Sequence, residues 1–96
     1  MTYREYLGNF LQQNALVFAE HGMFDRAIDY FEKARRQSPK DIYYVWNLGS
    51  MWRMKAKYTQ DSSKSEQYRA RAKKYFDQAN EMGWTSDPDA NTRRKP

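Results

Sequence analysis

Two stretches of the chain decide its fold: residues 11–18 (LQQNALVF) and residues 45–52 (VWNLGSMW), which begin 34 residues apart. In each stretch a small residue, Ala15 or Gly49, stands between an apolar residue and an aromatic one. Spacings of four and three place these side chains on one face of a helix. A small residue on that face lets a second helix approach closely. The sequence therefore predicts an internal repeat of paired helices.

Each stretch belongs to an amphipathic helix that is followed by a second one. The first helix starts at the capping box Thr2-Tyr-Arg-Glu5 and stops at Gly22, and proline at position 39 stops the second. The core face predicted for the first helix consists of Tyr3, Leu7, Phe10, Leu11, Ala15 and Phe18. The second helix is expected to bury Phe24, Ala27, Ile28, Phe31 and Ala34.

The second pair of helices is longer than the first. Asp41 is the expected cap of the third helix, and the box Ser63-Lys-Ser-Glu66 is the expected start of the fourth. From Trp52 to Ala72 there are twenty residues, whereas from Phe18 to Ala27 there are nine. We therefore expect an insertion of eleven residues that extends both helices, with the turn near residues 59–63. No segment alternates with a period of two for long enough to form a strand.

Composition and charge narrow the class of protein. The 96 residues contain no cysteine, which excludes disulfides, thiolate metal sites and cysteine nucleophiles. No apolar run is long enough to span a bilayer, so a cytoplasmic domain is expected. His21 is the only histidine and lies at a predicted turn, and no phosphate-binding loop or metal-ligand spacing occurs. The sequence thus predicts a protein without enzymatic activity, cofactor or metal.

The pattern resembles the tetratricopeptide repeat (TPR), W-x2-L-G-x2-Y, then A-x3-F, then P, over about 34 residues. Val45-x2-Leu48-Gly49-x2-Trp52 and Phe24-Asp-Arg-Ala27 match it best. The resemblance implies an all-α fold of two stacked antiparallel helix hairpins, an α-solenoid fragment whose second hairpin is extended. Residues 1–84 would form this repeat domain, and residues 85–96 are expected to be a disordered basic tail.

The resemblance also implies a concave groove that holds a peptide or helix, lined by the first helix of each hairpin. On the third helix we expect Tyr43 and Trp46 as apolar anchors, Asn47 to hold a ligand backbone, and Arg53 to meet an acidic group. Trp46 is expected to be mostly exposed in the free protein; the competing interpretation is that it packs against a neighbouring helix. The predicted partner-binding residues are Tyr43, Trp46, Asn47, Ser50, Arg53, Gln12, Gln13 and Leu16.

The basic residues suggest a second kind of partner. Residues 53–74 hold eight basic side chains against Asp61 and Glu66, so this one stretch carries more positive charge than the net +5 of the whole chain. The predicted basic patch consists of Lys55, Lys57, Lys64, Arg69, Arg71, Lys73 and Lys74. The alternative function is therefore binding of nucleic acid or another acidic partner, with Tyr58, Tyr68 and Tyr75 available for stacking. The simplest interpretation is a solvated helix face.

Two repeats are few for a stable stack, since about three are normally needed. The last hairpin is expected to leave Tyr75, Met82 and Trp84 open, so a homo-oligomer is predicted. The leading prediction is a non-enzymatic interaction module, that is, an adaptor, a chaperone-like protein or an assembly subunit. A purely structural oligomer, whose groove is filled by its own copies, is a third possibility.

Overall fold

The computed structural model describes residues 2–84, which form four α-helices and no strand. These are α1 (Tyr3–Glu20), α2 (Phe24–Gln37), α3 (Ile42–Lys57) and α4 (Ser62–Glu81). The predicted all-α, TPR-like hairpin architecture is confirmed. The predicted basic tail, residues 85–96, lies outside the described residues.

The helices begin at side-chain caps. The capping box at Thr2 and Glu5 is present, with both reciprocal hydrogen bonds formed. Asp41 caps α3 by accepting a hydrogen bond from the Tyr43 backbone N–H, as predicted. The box predicted at Ser63 is wrong: Asp61 caps α4 instead and accepts from the Lys64 N–H. An aspartate at this position satisfies a free N–H one turn into the helix, as serine would.

The turn between α3 and α4 occupies residues 58–61, close to the predicted position. No long loop interrupts the second hairpin. α4 has 20 residues, whereas α2 has 14. Ser65 in the first turns of α4 is buried and donates its hydroxyl to the Ala56 carbonyl at 2.8 Å, which fastens the start of α4 to the end of α3.

The four helices pack in chain order, α1 on α2, α2 on α3 and α3 on α4. The core lies where α1, α2 and α3 meet, and its members are Ala15, Ile28, Phe31, Ala34, Tyr44 and Leu48. The ring of Tyr44 reaches across to α1, where a Cβ added at Gly8 would stand 3.0 Å from the Tyr44 hydroxyl oxygen. Stacking in sequence, with each helix covering the one before it, is the arrangement expected of a repeat protein.

The core face predicted for α1 is partly wrong. Ala15 is fully buried and Leu11 packs against the core, but Tyr3 is 76% exposed and Phe10 is 55% exposed. The buried side of α1 is centred on Gly8 and Ala15, which sequence alone had not distinguished from the neighbouring stripe. α1 packs against α2 and also contacts Tyr44 of α3. Its buried side is therefore the one that faces both of these neighbours.

Candidate functional site

The predicted groove residues of α3 lie beside, and partly beneath, its contact with α4. Tyr44 and Leu48 point into the core, and Gly49 faces the ring of Phe76 in α4. At 100° per residue, Tyr43, Asn47 and Ser50 then share one stripe on another side of α3, and Trp46 lies between this stripe and α4. The structure thus places the α3 residues of the predicted site together.

An aromatic cluster covers part of this stripe. We use this name for Tyr43, Trp46, Phe76 and Trp84. The Trp46 and Trp84 rings are stacked with centroids 5.2 Å apart, and Tyr43 meets Trp84 edge-on at 5.3 Å. Phe76 lies 6.2 Å from Trp46 on the α4 side. Trp46 is therefore partly buried rather than mostly exposed, and our expectation on that point is corrected.

The end of α4 explains how Trp84 reaches α3. Gly83 has a φ of 110°, a conformation that glycine adopts without strain. The Gly83 N–H donates to the Asn80 carbonyl at 3.0 Å and the Trp84 N–H to the Ala79 carbonyl at 2.8 Å, which is the Schellman pattern. This pattern commonly brings the apolar residue after the glycine back onto the fold. A glycine followed by tryptophan after an amphipathic helix is the sequence signal that could have predicted this contact.

The apolar end predicted for the last hairpin is accordingly smaller than expected. Tyr75, Met82 and Trp84 are all partly buried, not open. The Tyr75 hydroxyl donates to the Glu32 carboxylate of α2 at 2.6 Å. Burial, together with this hydrogen bond and the negative charge of Glu32, raises the pKa of Tyr75 to about 12.

Two polar residues of the stripe differ in burial. Asn47 is partly buried. Ser50 is 8% exposed, and its hydroxyl oxygen has no hydrogen-bond partner among residues 2–84. An unpaired buried hydroxyl costs free energy, typically about 1–3 kcal/mol. Arg53 is exposed at the edge of the stripe, with its guanidinium 5.8 Å from the centre of the Phe76 ring.

The three α1 residues of the predicted site differ in how exposed they are. Gln13 is exposed, whereas Gln12 is partly buried. Leu16 is partly buried and packs against the core, so it is available only at its rim. Gln12 and Leu16 lie one helical turn apart on the side of α1 that continues from its buried face, consistent with a wall beside α3.

The basic residues predicted as one patch are divided. Lys55 is ion-paired with Asp25 of α2, and its ammonium lies 5.2 Å and 4.4 Å from the Trp52 and Tyr68 ring centres. Lys73 pairs with Asp77 at 2.8 Å, and that hydrogen bond, followed by the charge of Asp77, raises the Lys73 pKa. By helical angle, Arg71 lies on one side of α4, with Lys64 and Lys74, and Arg69 and Lys73 on the other. Lys57 is exposed at the end of α3, with its ammonium 5.6 Å from the Tyr58 ring centre.

The three tyrosines suggested for stacking on bases already have partners. Tyr58 is stacked on Phe24 with the planes 6° apart, and Tyr68 lies under Lys55 and beside Trp52. The guanidinium of Arg35 lies 5.8 Å from the centre of the Tyr75 ring. These contacts occupy ring surface that a base would need, which disfavours recognition of single-stranded nucleic acid here.

An exposed aromatic stripe on α1 was not foreseen. It consists of Tyr3, Tyr6, Phe10 and Val17, each more than half exposed. Successive members are three, four and seven residues apart, so they lie along one side of α1, opposite the buried face. The sequence pattern predicts Tyr3 and Phe10 in the core. The way α1 packs on its neighbours instead leaves both side chains exposed.

His21 and the acidic side chains are the residues here that could take part in metal binding or proton transfer. Within residues 2–84, no group of three or more histidine or acidic side chains could hold a metal ion. A ring nitrogen of His21 is engaged with the Val17 carbonyl, at 2.9 Å. No helix in this part of the chain is both long and apolar enough to cross a membrane.

The fold defines a TPR-like protein built of helical hairpins. Residues 6–96 match the family described as plant-specific mitochondrial import receptor subunit TOM20, and the chain belongs to that family. It is also similar to the photosystem I assembly protein Ycf3 of Prochlorococcus marinus, with 28% identity over 78 residues. That match covers 81% of this chain and 42% of Ycf3, so the chain spans less than half the length of that relative. No solved structure matches it.

Proposed function

We propose that this domain is the client-binding part of a mitochondrial import receptor, and that it holds a peptide segment in the groove between α1 and α3. The family name supplies the receptor role. The observation that carries the groove is the aromatic cluster, which borders a stripe with Asn47 and the unpaired hydroxyl of Ser50. Aromatic side chains beside a small number of polar groups are typical of binding sites with a few strong contacts.

The peptide that such a receptor would bind is the targeting segment of a protein that is imported into mitochondria. Mitochondrial targeting segments are amphipathic, rich in arginine and poor in acidic residues. The apolar face of such a helix would lie on Tyr43, Trp46 and the rim of Leu16. Asn47 would offer hydrogen bonds to its polar border. An import receptor meets its clients before they enter the organelle, so we propose that the domain faces the cytoplasm.

The test compares two tryptophans on different sides of α3. Trp46 borders the groove, whereas Trp52 packs beside Tyr68 and under Lys55, away from it. Truncating a central tryptophan anchor costs about 2 kcal/mol or more, or about thirtyfold in affinity. Trp46→Ala should therefore weaken binding of a synthetic mitochondrial targeting peptide about thirtyfold, whereas Trp52→Ala should leave the affinity of the folded protein unchanged.

Both substitutions remove partly buried rings, so both are expected to lower the thermal midpoint. Binding is measured well below both midpoints, with circular dichroism to establish that each variant is folded. A second pair avoids the loss of packing: Asn47→Ala in the groove is compared with Asn80→Ala on the exposed side of α4. Equal affinities for the two tryptophan variants and for the two asparagine variants would overturn the groove.

We further propose that the chain contains two repeats, the second lengthened by an insertion at its hairpin turn. The length of α4 relative to α2 and the position of the turn at residues 58–61 support this interpretation. Self-association is also proposed, but through the exposed aromatic stripe of α1. Exposed apolar patches of this kind commonly mark an interface.

A further inference from the structure

The structure contains a second candidate site, on the side of the molecule where α2 and α4 lie next to each other. A cavity of about 380 Å³ is lined there by Arg35 of α2 and by Arg71, Lys74, Tyr75 and Gln78 of α4. Arg35 was not among the basic residues singled out from the sequence, because it lies on another helix. Folding brings it to the cavity together with Arg71 and Lys74.

Two of the three cations that line this cavity lie against aromatic rings. The guanidinium of Arg35 lies 5.8 Å from the centre of the Tyr75 ring, and that of Arg71 lies 5.0 Å from the centre of the Trp52 ring. Among residues 2–84, none of Arg35, Arg71 and Lys74 takes part in an ion pair. Ring contacts orient a guanidinium while leaving its N–H donors free.

One carboxylate lies next to the cavity. Glu32 accepts the hydrogen bond of the hydroxyl of Tyr75, which lines the cavity, at 2.6 Å. Three cations against this one carboxylate leave an excess of positive charge. Arginine N–H groups bind carboxylates in a bidentate way, so the free donors favour a second acidic group.

We propose that this cavity, the Arg35–Arg71 site, binds an acidic segment of a partner protein, with aspartate or glutamate carboxylates paired to Arg35 and Arg71 and steered by Lys74. The proposal is independent of the groove, because the groove is formed by α1 and α3 and its client is expected to be basic. A single domain would thereby contact two partners of opposite charge on different surfaces.

An acidic peptide fits this site better than a nucleic acid does. Affinity for a nucleic acid grows with the number of backbone phosphates that cations contact. On α4 the cations are divided, because Arg69 and Lys73 lie on the other side of the helix and Lys73 pairs with Asp77. The ring of Tyr75 is covered by Arg35 and that of Trp52 by Lys55 and Arg71, so bases would have little free surface to stack on.

The experiment measures the anisotropy of a fluorescently labelled hexaglutamate peptide at low salt, with hexaglutamine and oligothymidine as comparison probes. The double variant Arg35→Gln/Arg71→Gln is expected to bind hexaglutamate roughly a hundredfold more weakly, about tenfold for each arginine–carboxylate pair that it removes. The matched control is Arg36→Gln/Arg69→Gln, which removes the same charge from exposed positions of the same two helices. It should weaken binding by less than about threefold, as expected for screened charges at a distance.

A third variant has the opposite expected sign. Glu32→Gln keeps an acceptor for the Tyr75 hydroxyl but removes the competing negative charge, so hexaglutamate should bind several-fold more tightly. Equal losses in the two double variants would show that only net charge matters and would overturn the site. Binding of hexaglutamine as tight as hexaglutamate would do so too. Tighter binding of oligothymidine that depends on Arg35 and Arg71 would assign the cavity to nucleic acid instead.

Discussion

At Gly49 the backbone of α3 faces the ring of Phe76 in α4. A Cβ built at this position would lie 2.8 Å from two carbons of that ring, so the helices would have to separate. Overpacking of this kind costs typically about 1–3 kcal/mol, whereas alanine in place of glycine gains up to about 1 kcal/mol of helix propensity. We expect Gly49→Ala to lower the free energy of unfolding, as measured by urea denaturation.

Gly8→Ala is the matched control, since it brings the same gain in propensity at another buried helical glycine. Its Cβ would meet the Tyr44 hydroxyl oxygen at 3.0 Å rather than two ring carbons. Gly49→Ala should therefore be the more destabilising of the two by about 1 kcal/mol or more. Its cost should shrink in a Phe76→Leu background, where the ring is absent. A cost that is unchanged there would place the strain elsewhere.

Tyr75 gives a prediction of pH dependence. Its pKa is raised from 10.0 to about 12, first by burial and then by the hydrogen bond to Glu32. The folded state therefore favours the protonated phenol. This contribution to stability is complete below about pH 10 and is lost as the pH rises through about 10 to 12. The ultraviolet titration of phenolate should contain a late phase that is smaller in Tyr75→Phe, and unfolding of Tyr75→Phe should depend less on pH in that range. A titration unchanged by Tyr75→Phe would contradict this.

Residue patterns predicted some contacts well and others poorly. Ala15, Phe31 and Leu48 are fully buried as expected, because apolar residues at helical spacing form a face that is stabilised by removal from water. Tyr3 and Phe10 were misplaced because aromatic residues are equally compatible with a core and with a contact surface. The Arg35–Arg71 site was out of reach of pattern analysis, since its two arginines come from different helices and lie 36 residues apart in sequence.

At the scale of the helix, α1 and α4 both end in a Schellman motif with a glycine at positive φ, so the effects of substituting the two glycines can be compared. Gly22 ends α1 with a φ of 73°, and the Met23 N–H donates to the Phe18 carbonyl at 2.9 Å. Gly83 ends α4 with a φ of 110° and directs Trp84 onto Trp46. Alanine at either glycine should cost roughly 1–2 kcal/mol, since L-residues are strained at positive φ.

Gly83→Ala should cost more than Gly22→Ala, because it also disturbs the stacking of Trp84 on Trp46. Hydrogen exchange tests the reason directly. The Trp84 amide, which donates to the Ala79 carbonyl, should exchange faster in Gly83→Ala and stay unchanged in Gly22→Ala. Equal costs and equal exchange would mean that Trp84 contributes nothing to the end of α4.

The elements themselves were largely predictable because their caps are local signals. Thr2, Asp41 and the glycines mark helix ends in the sequence as they do in the structure. The exception, Asp61 in place of Ser63, arose because several residues of the turn can each act as a cap. Choosing among them depends on where Ser65 meets Ala56, which is a contact between helices.

At the scale of the molecule, stacking in chain order leaves the outer side of α1 uncovered by any other helix of residues 2–84. The opposite end differs, because Trp84 packs back onto α3. The exposed stripe of Tyr3, Tyr6, Phe10 and Val17 is therefore the surface through which we expect two copies to associate. Burying several aromatic side chains of this size would stabilise a dimer by several kcal/mol before the cost of association.

Phe10→Glu places a charge in the middle of this stripe without removing a core side chain, since Phe10 is 55% exposed. Sedimentation of the wild type should show a mass above 11.6 kDa that rises with protein concentration, whereas Phe10→Glu should stay at 11.6 kDa. Tyr58→Glu is the control, because Tyr58 is 63% exposed but lies at the turn between α3 and α4. It should associate as the wild type does. A wild type that remains at 11.6 kDa at high concentration would contradict self-association through the stripe, and equal dissociation by both variants would show that charge alone drives the copies apart.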